Sequence, residues 1–299
     1  MKKYIDLHIH SNFSEDADLP VEEIFILAQK LKISAISITD HDSIKSINNA
    51  NSISNKYPVE YIPAVEITTI LPQDGSQQHI IGYFVDENNS NLIEVLKKIT
   101  GYRLLIAKKR IEALKNIGFF LNEEKIWKTS ENRALTATSI MLEIFNNEKN
   151  LNNLQLHDFL YGNKKENKMS FFYKEFFMEG KLAYVPFQSI SAKEAIEIII
   201  KAGGIPVLAH PKFVKKREWL EIIKKYGIQG IEAISTYHNK EDVIFFIEFA
   251  KKNNLLITAG SDFHGPTSKP NVKIGGIEGN DYIYFEKLKD FHQNSKNIS

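Results

Sequence analysis

The sequence predicts an α/β protein, a parallel sheet or barrel interrupted by a helical insertion, and three observations predict it. Short β-branched runs alternate with amphipathic helical patterns over the first ninety residues, and the alternation resumes from about Ser191. Between these stretches it disappears, and apolar residues recur at helical spacing instead.

The elements follow in order. "YIDLHIH" from Tyr4 reads as a strand, "PVEEIFILAQKLK" as a helix and "AISITDH" as a strand. A helix begins near Ser43, then "EYIPAVEITT" and "HIIGYFVD" read as strands. In the later stretch "SAKEAIEIIIKAGG" is a helix closed by glycine, "IPVLAH" a strand, "KKREWLEIIKKYG" a helix and "IQGIEAIS" a strand. "NKEDVIFFIEFAKKNN" is a helix and "LLITAGSDFH" the last strand. The expected organisation is a sheet or barrel domain from residues 1–90 and 182–299, with a helical insertion over 91–181 broken by "NNEKNLNN" and "GNKKENK".

Composition narrows the function. With 38 Lys and Arg against 37 Asp and Glu, the chain lacks the broad basic surface that grips duplex nucleic acid, while a small or single-stranded nucleic-acid ligand stays compatible. Cysteine is absent, so there is no disulfide, thiol nucleophile or thiolate metal site, and any metal must be held by His, carboxylates and other oxygen or nitrogen donors. "MKKYIDLHIH" lacks the apolar core of a signal peptide and no stretch is long enough to cross a bilayer, so the expected location is cytoplasmic and no membrane partner is expected.

Polar clusters stand at the ends of the expected strands. They are "DLHIH" with His8 and His10, "TDHD" with His41, "VEIT" with Glu66, "QHIIG" with His79, "LAHP" with His210, "STYH" with His238 and "GSDFHG" with Asp262 and His264. Residues two apart on a strand share a face, so His8 and His10 can reach one ion, as can Asp262 and His264. A single such histidine is ordinarily a core imidazole bonded to backbone. Seven of the nine histidines at strand ends require a shared explanation, and a metal centre at the carboxyl end of a barrel provides one. His157 and His292, in the tail, fall outside the pattern. Asp6 is a candidate supporting carboxylate; of Asp40 and Asp42, one is suited to orienting His41, and Asp42 is placed to cap the next helix.

With "DLHIHS", "ITDHD", "AVEIT", "HIIGY", "LAHP" and "GSDFHG" in this order, the chain resembles the PHP (polymerase and histidinol phosphatase) family of metal-dependent phosphoesterases. The stretch "GKLAYVPFQSISAKEAIEIIIKAGGIPVLAHP" is similar to the branch of nucleoside 3',5'-bisphosphate phosphatases and 5' to 3' exoribonucleases, which also carries a helical insertion here. The resemblance implies a distorted (β/α)7 TIM-like barrel with two or three divalent ions, manganese, iron or zinc. It implies that His8, His10, Glu66 and Asp262 hold one ion. Glu66 then bridges to a second held by His79 and His210, and a third falls to His41, His264 and an acid from "SEDAD". Many relatives read "SDG" there, so either Glu15 or Asp16 supplies the acid, with Asp16 the preferred choice.

The implied reaction is hydrolysis of a terminal phosphate from a small nucleotide substrate, a 3',5'-bisphosphate or a short oligonucleotide, by metal-activated hydroxide. His238 and Asp40 are the further catalytic candidates, His238 to contact phosphate or assist the leaving oxygen. Arg133 in "ENRALTATSI" stands where the branch has Arg-Pro-His, here replaced after the arginine by Ala134 and Leu135. Arg133, Lys181 and His238 are the substrate-binding candidates, and with the first two the insertion would act as a substrate lid. Competing readings are a histidinol-phosphate phosphatase sharing the same metal box, an amidohydrolase-type C–N hydrolase, whose barrels also open with HxH, and a non-catalytic metal-binding module. "LAYVP" and the insertion count against the first, the lack of an obvious bridging lysine against the second, and the intact ligand set against the third.

Overall fold

The computed structural model describes residues 3–14, 16–129 and 136–296. The chain runs β1 (Tyr4–Ile9), α1 (Val21–Lys30), β2 (Ile33–Ile38), α2 (Lys45–Ser54), β3 (Glu60–Ile70), β4 (Gln77–Tyr83) and α3 (Ser90–Asn116). Next come α4 (Glu123–Thr129), α5 (Ala137–Asn146), α6 (His157–Leu160) and α7 (Lys168–Phe172). It ends with α8 (Ala192–Lys201), β5 (Ile205–Leu208), α9 (Trp219–Lys225), β6 (Gly230–Ser235), α10 (Lys240–Lys252), β7 (Leu256–Gly260) and α11 (Ile283–Lys296). Among the described residues no helix is long and apolar enough to cross a membrane.

The seven strands form one sheet in chain order. Just beyond β7 it curls back onto β1: Asp262 N–H donates to the His8 carbonyl at 2.8 Å and His10 N–H to the Phe263 carbonyl at 2.8 Å. The result is a nearly closed seven-stranded barrel. β1, β2 and β3 are parallel, as are β5, β6 and β7, but β4 runs antiparallel to both neighbours, which corrects the all-parallel expectation. The reason is length. Only residues 71–76 join β3 to β4, too few for a helical crossover, and Leu71 N–H closes the hairpin on the Ser76 carbonyl at 2.8 Å. Reversal also brings His79, near the start of β4, opposite Thr68 near the end of β3, so it joins the face to which parallel strands point their carboxyl ends.

Alternation along β1 divides its side chains. Ile9 packs in an apolar layer with Ile24, Phe25 and Ala28 of α1 and Ala50 and Ile53 of α2, while Asp6 and His8 point the other way, into the barrel. α8 starts where Ser191 and Glu194 make reciprocal bonds, and Ala192, Ala195, Ile196 and Ile199 give it one buried stripe. Asn239 and Asp242 start α10 in the same way. His292 lies on α11 and its ring stacks on Phe84 at 4.2 Å.

The chain divides into two compact units, Met1–Lys97 with Ser189–Ser299, and Lys98–Gln188. The second has its own apolar core, in which Phe119, Phe145, Phe159, Phe172, Phe176 and Phe177 pack around Ile140, Ile144 and Leu156. His157 stands exposed there beside Asp158, the ordinary helix histidine its pattern suggested.

Candidate metal centre

β1 delivers His8 and His10 to the end of the barrel, where β3 contributes Glu66 and the turn after β7 contributes Asp262. His8 Nε2 lies 3.3 Å from Glu66 Oε1 and 3.2 Å from Asp262 Oδ1, and His10 Nε2 lies 3.3 Å from Glu66 Oε2 and 3.1 Å from the same Asp262 oxygen. The two imidazole Nε2 atoms are 3.2 Å apart.

Hydrogen bonding fixes what these atoms are. Glu232 Oε1 is 2.9 Å from His8 Nδ1, which donates to it, so in the neutral imidazole that a metal ligand must be, Nε2 carries the lone pair aimed at the cluster. His10 Nδ1 meets Ser14 Oγ at 3.2 Å; that hydroxyl also accepts from His41 N–H at 3.0 Å and donates to Asp40 Oδ1 at 2.9 Å, so Nδ1 of His10 donates too. Three carboxylate oxygens, both of Glu66 and Oδ1 of Asp262, and the two Nε2 atoms therefore face one another. Only a cation or added protons relieve such a set, and one ligand atom from each of His8, His10, Glu66 and Asp262 lies within 4.8 Å of the other three. Glu66 Oε2, His41 Nδ1 and Asp16 Oδ1 are buried without a hydrogen bond, as ligand atoms directed at an ion would be. The donor set fits divalent metal ions.

Around this core, Glu66 gathers further imidazoles. His79 Nδ1 and His210 Nε2 stand 3.0 and 3.2 Å from its Oε1, and His41 Nδ1 stands 2.9 Å from its Oε2. Asp16 Oδ2 is 3.7 Å from His41 Nε2 and 3.6 Å from His264 Nε2. His264 Nδ1 donates to the Asp262 carbonyl at 2.8 Å, which turns its Nε2 toward Asp16. Glu15 lies outside the described residues, as does Arg133. Lys181 is exposed in the second unit.

Electrostatics agree with ligation. Burial pushes the Glu66 carboxyl up, but His79, His8 and His41 outweigh it and hold it well below its usual range. Burial, with His264 and His41, brings His10 down to about 4, so it stays neutral. Burial also opposes charge on His41, yet Glu66 and Asp16 overcome it and raise the imidazole to about 9; the carboxylates that would hold a proton there attract a cation equally.

Three expectations change. Asp40 does not reach the cavity: it accepts from Ser11 N–H and Ser11 Oγ, both at 2.7 Å, and from Ser14, so it acts on His10 through a hydroxyl. Asp42 does not cap α2; its backbone turns through φ 50° and its Oδ1 accepts from Thr68 N–H at 2.7 Å, tying the second strand end to β3. His238 is not among the residues lining the cavity. Its Nδ1 donates to the Ala233 carbonyl at 3.0 Å and its ring packs on Phe246, so its neighbour Tyr237 faces the site instead. Asp6 supports from beneath, accepting from Ser261 N–H at 2.8 Å and Gly275 N–H at 2.7 Å, with burial pushing its carboxyl up to about 6.

Sequence reading missed Glu232, Tyr237 and Lys269. Glu232 is fully buried mid-strand in "IQGIEAIS", and an acid on an apolar strand was the available signal. Its Oε2 accepts His210 N–H at 2.8 Å while Oε1 takes His8. A glutamine satisfies one of these donors and turns an NH2 on the other, so Glu232→Gln is expected to weaken metal affinity by about 10- to 100-fold. Competition against a chromophoric chelator measures it, and unchanged affinity refutes the role. Above the cluster opens a cavity of about 330 Å3, completed by Gln77, Gln78, Phe213, Tyr237 and Lys269.

The family model for the PHP domain matches residues 6–154. Curated relatives align along most of the chain. The phosphoribosyl 1,2-cyclic phosphate 1,2-diphosphodiesterase of Eggerthella lenta is 22% identical, covering 87% of this chain and 94% of the relative. The 3',5'-nucleoside bisphosphate phosphatase of Chromobacterium violaceum is 27% identical over 88% and 87%, and the 5'-3' exoribonuclease Rnm of Escherichia coli 25% identical over 92% and 91%. Among solved structures, that of an amidohydrolase from Chromobacterium violaceum with bound sulfate matches with a TM-score of 0.77 at 25% identity, covering 96% of each chain. Matching that domain and aligning over most of its length with three phosphoesterases, the chain belongs to the PHP family of metal-dependent phosphoesterases.

Proposed function

We propose that the chain removes a terminal phosphate from small nucleotide substrates, nucleoside 3',5'-bisphosphates or short oligonucleotides, using two or three divalent ions. The observation that carries the reading is the convergence of His8, His10, Glu66 and Asp262 on one point beneath an open cavity, with His41, His79, His210, His264 and Asp16 around it. The first four would hold one ion, Glu66 with His79 and His210 a second, and Asp16, His41 and His264 a third. Manganese, iron and zinc all suit this mixture of imidazole and carboxylate. When bound, such ions lower the pKa of water and neutralise charge on phosphoryl oxygens.

The protein's own groups do the rest. Glu232, Ser14 and the Asp262 carbonyl fix the tautomers of His8, His10 and His264, so each presents a lone pair inward without reorganising. Asp40 and Asp6 hold the strand ends by backbone N–H bonds. Arg133 and Lys181 are the substrate-binding residues we assign to the insertion.

The test is a panel of nucleoside 3',5'-bisphosphates, nucleoside monophosphates, a cyclic phosphate diester, histidinol phosphate, short RNA and an N-acyl amide, with phosphate, nucleotide and amine release followed separately. Manganese-dependent phosphate or mononucleotide release from the first and fifth, lost on chelation, is the expected result. Amine release alone favours the amidohydrolase reading, and full activity after chelation removes the metal.

A further inference from the structure

We propose that Phe213, Tyr237 and Lys269 form a nucleotide subsite in the cavity wall, with the Lys269 ammonium on the substrate's phosphoryl oxygens and the Phe213 ring against its base. This assignment rests on the phosphoesterase reading and names the groups that would make it selective for nucleotides.

Histidines that direct lone pairs at ions have no N–H to offer substrate on that side. A phosphate monoester arrives with roughly −1.5 to −2 charges near neutral pH, so a permanent cation in the cavity matters. Among the described lining residues Lys269 is the only lysine or arginine. Its Nζ is 2.6 Å from Asp262 Oδ2 and 2.7 Å from the Tyr237 hydroxyl, which also donates to Asp262 Oδ2. Asp262 thereby divides its oxygens, Oδ1 to His8 and His10, Oδ2 to the lysine and phenol.

The lysine is held in place. Thr267 N–H, Ser268 N–H and Ser268 Oγ donate to Asp18 at 2.7, 3.0 and 2.9 Å, and Lys269 N–H closes on the Gly265 carbonyl at 3.0 Å. Its side chain is 31% exposed, so the ammonium is open to an incoming anion.

Phe213 supplies the apolar half. It is 51% exposed on a cavity otherwise bounded by polar groups and Tyr237. Edge contacts to Tyr237 at 4.9 Å and His210 at 5.1 Å fix the ring without covering it. A flat, immobilised ring near a fixed cation suits a ligand that joins an aromatic base to a phosphate.

Calorimetric binding of two probes, inorganic phosphate and adenosine 5'-monophosphate, to manganese-loaded protein tests this. Phe213→Ala should weaken the nucleotide about tenfold and leave phosphate within twofold. Lys269→Met should weaken both about tenfold, and Lys269→Arg should restore phosphate. Manganese content and circular dichroism establish that each variant is loaded and folded. Unchanged nucleotide affinity in Phe213→Ala, equal loss of both probes in that variant, or unchanged phosphate affinity in Lys269→Met overturns the subsite. If the wild-type chain releases neither phosphate nor mononucleotide from the panel, the phosphoesterase reading fails; if it releases either and these variants bind as wild type, only the subsite fails.

Discussion

Glu66→Ala is expected to abolish phosphate release and to lower bound metal, with the fold retained. Five imidazoles gather on this one buried carboxylate: His8, His79 and His210 at 3.3, 3.0 and 3.2 Å from Oε1, His10 and His41 at 3.3 and 2.9 Å from Oε2. It stands against more imidazoles than Asp262 or Asp16 does, and its removal takes away both a direct contact and the negative charge that balances them. Losing an outer partner of a ligand costs about 10- to 100-fold, so losing the shared ligand itself should exceed roughly 100-fold. Glu66→Gln, equal in size but neutral, should lose activity as well, which separates charge from packing. Phosphate release and metal content per chain are the measurements. Activity within a few-fold of wild type in Glu66→Ala, with metal retained, would sink the shared-ligand role.

Gly260→Ala should damage the protein as severely by a different route. At the end of β7, a Cβ on residue 260 would lie 2.2 Å from His8 Cβ, 2.8 Å from His8 N and 2.6 Å from Glu232 Oε1. Two of these atoms belong to the rigid strand β1, so the clash cannot be relieved by swinging a flexible side chain. Either β1 and β7 separate, opening the barrel seam, or His8 and Glu232 move and the metal cluster loses its first nitrogen. Overpacking of a tight core costs about 1–3 kcal/mol, and contact with strand backbone places this case at the upper end. Thermal melting should fall by several degrees, and metal affinity should fall with it. A variant with wild-type melting temperature and wild-type metal content would show that the approach of β7 to β1 is looser than these distances state.

Much of the site was legible because metal ligation constrains residue type and spacing together. His8 and His10 stand two apart on a strand, and Asp262 and His264 two apart just beyond another, a pattern that an ordinary core has no reason to repeat. The barrel was legible for a similar reason, since alternating strand and helix patterns leave few arrangements. The direction of β4 was not. Strand patterns in a sequence carry no sign of direction, and the six-residue connection between β3 and β4 was the only clue.

Partners across the barrel were also hidden. Glu232 lies 224 positions from His8, and Lys269 reaches Asp262 through a loop clamped by Asp18, near the other end of the chain. His238 shows the converse: a histidine at a strand end satisfied the sequence pattern, yet local backbone geometry turned it onto Ala233 and Phe246 and gave the cavity to Tyr237.

The sequence by itself determined the candidate ligand types, their order along the chain and the strands that carry them, because periodicity and chemistry are local properties. Tertiary structure alone decided which lone pair each imidazole turns inward, which oxygen of Asp262 faces the cluster and which side chains line the cavity, because those follow from contacts between residues far apart in the chain.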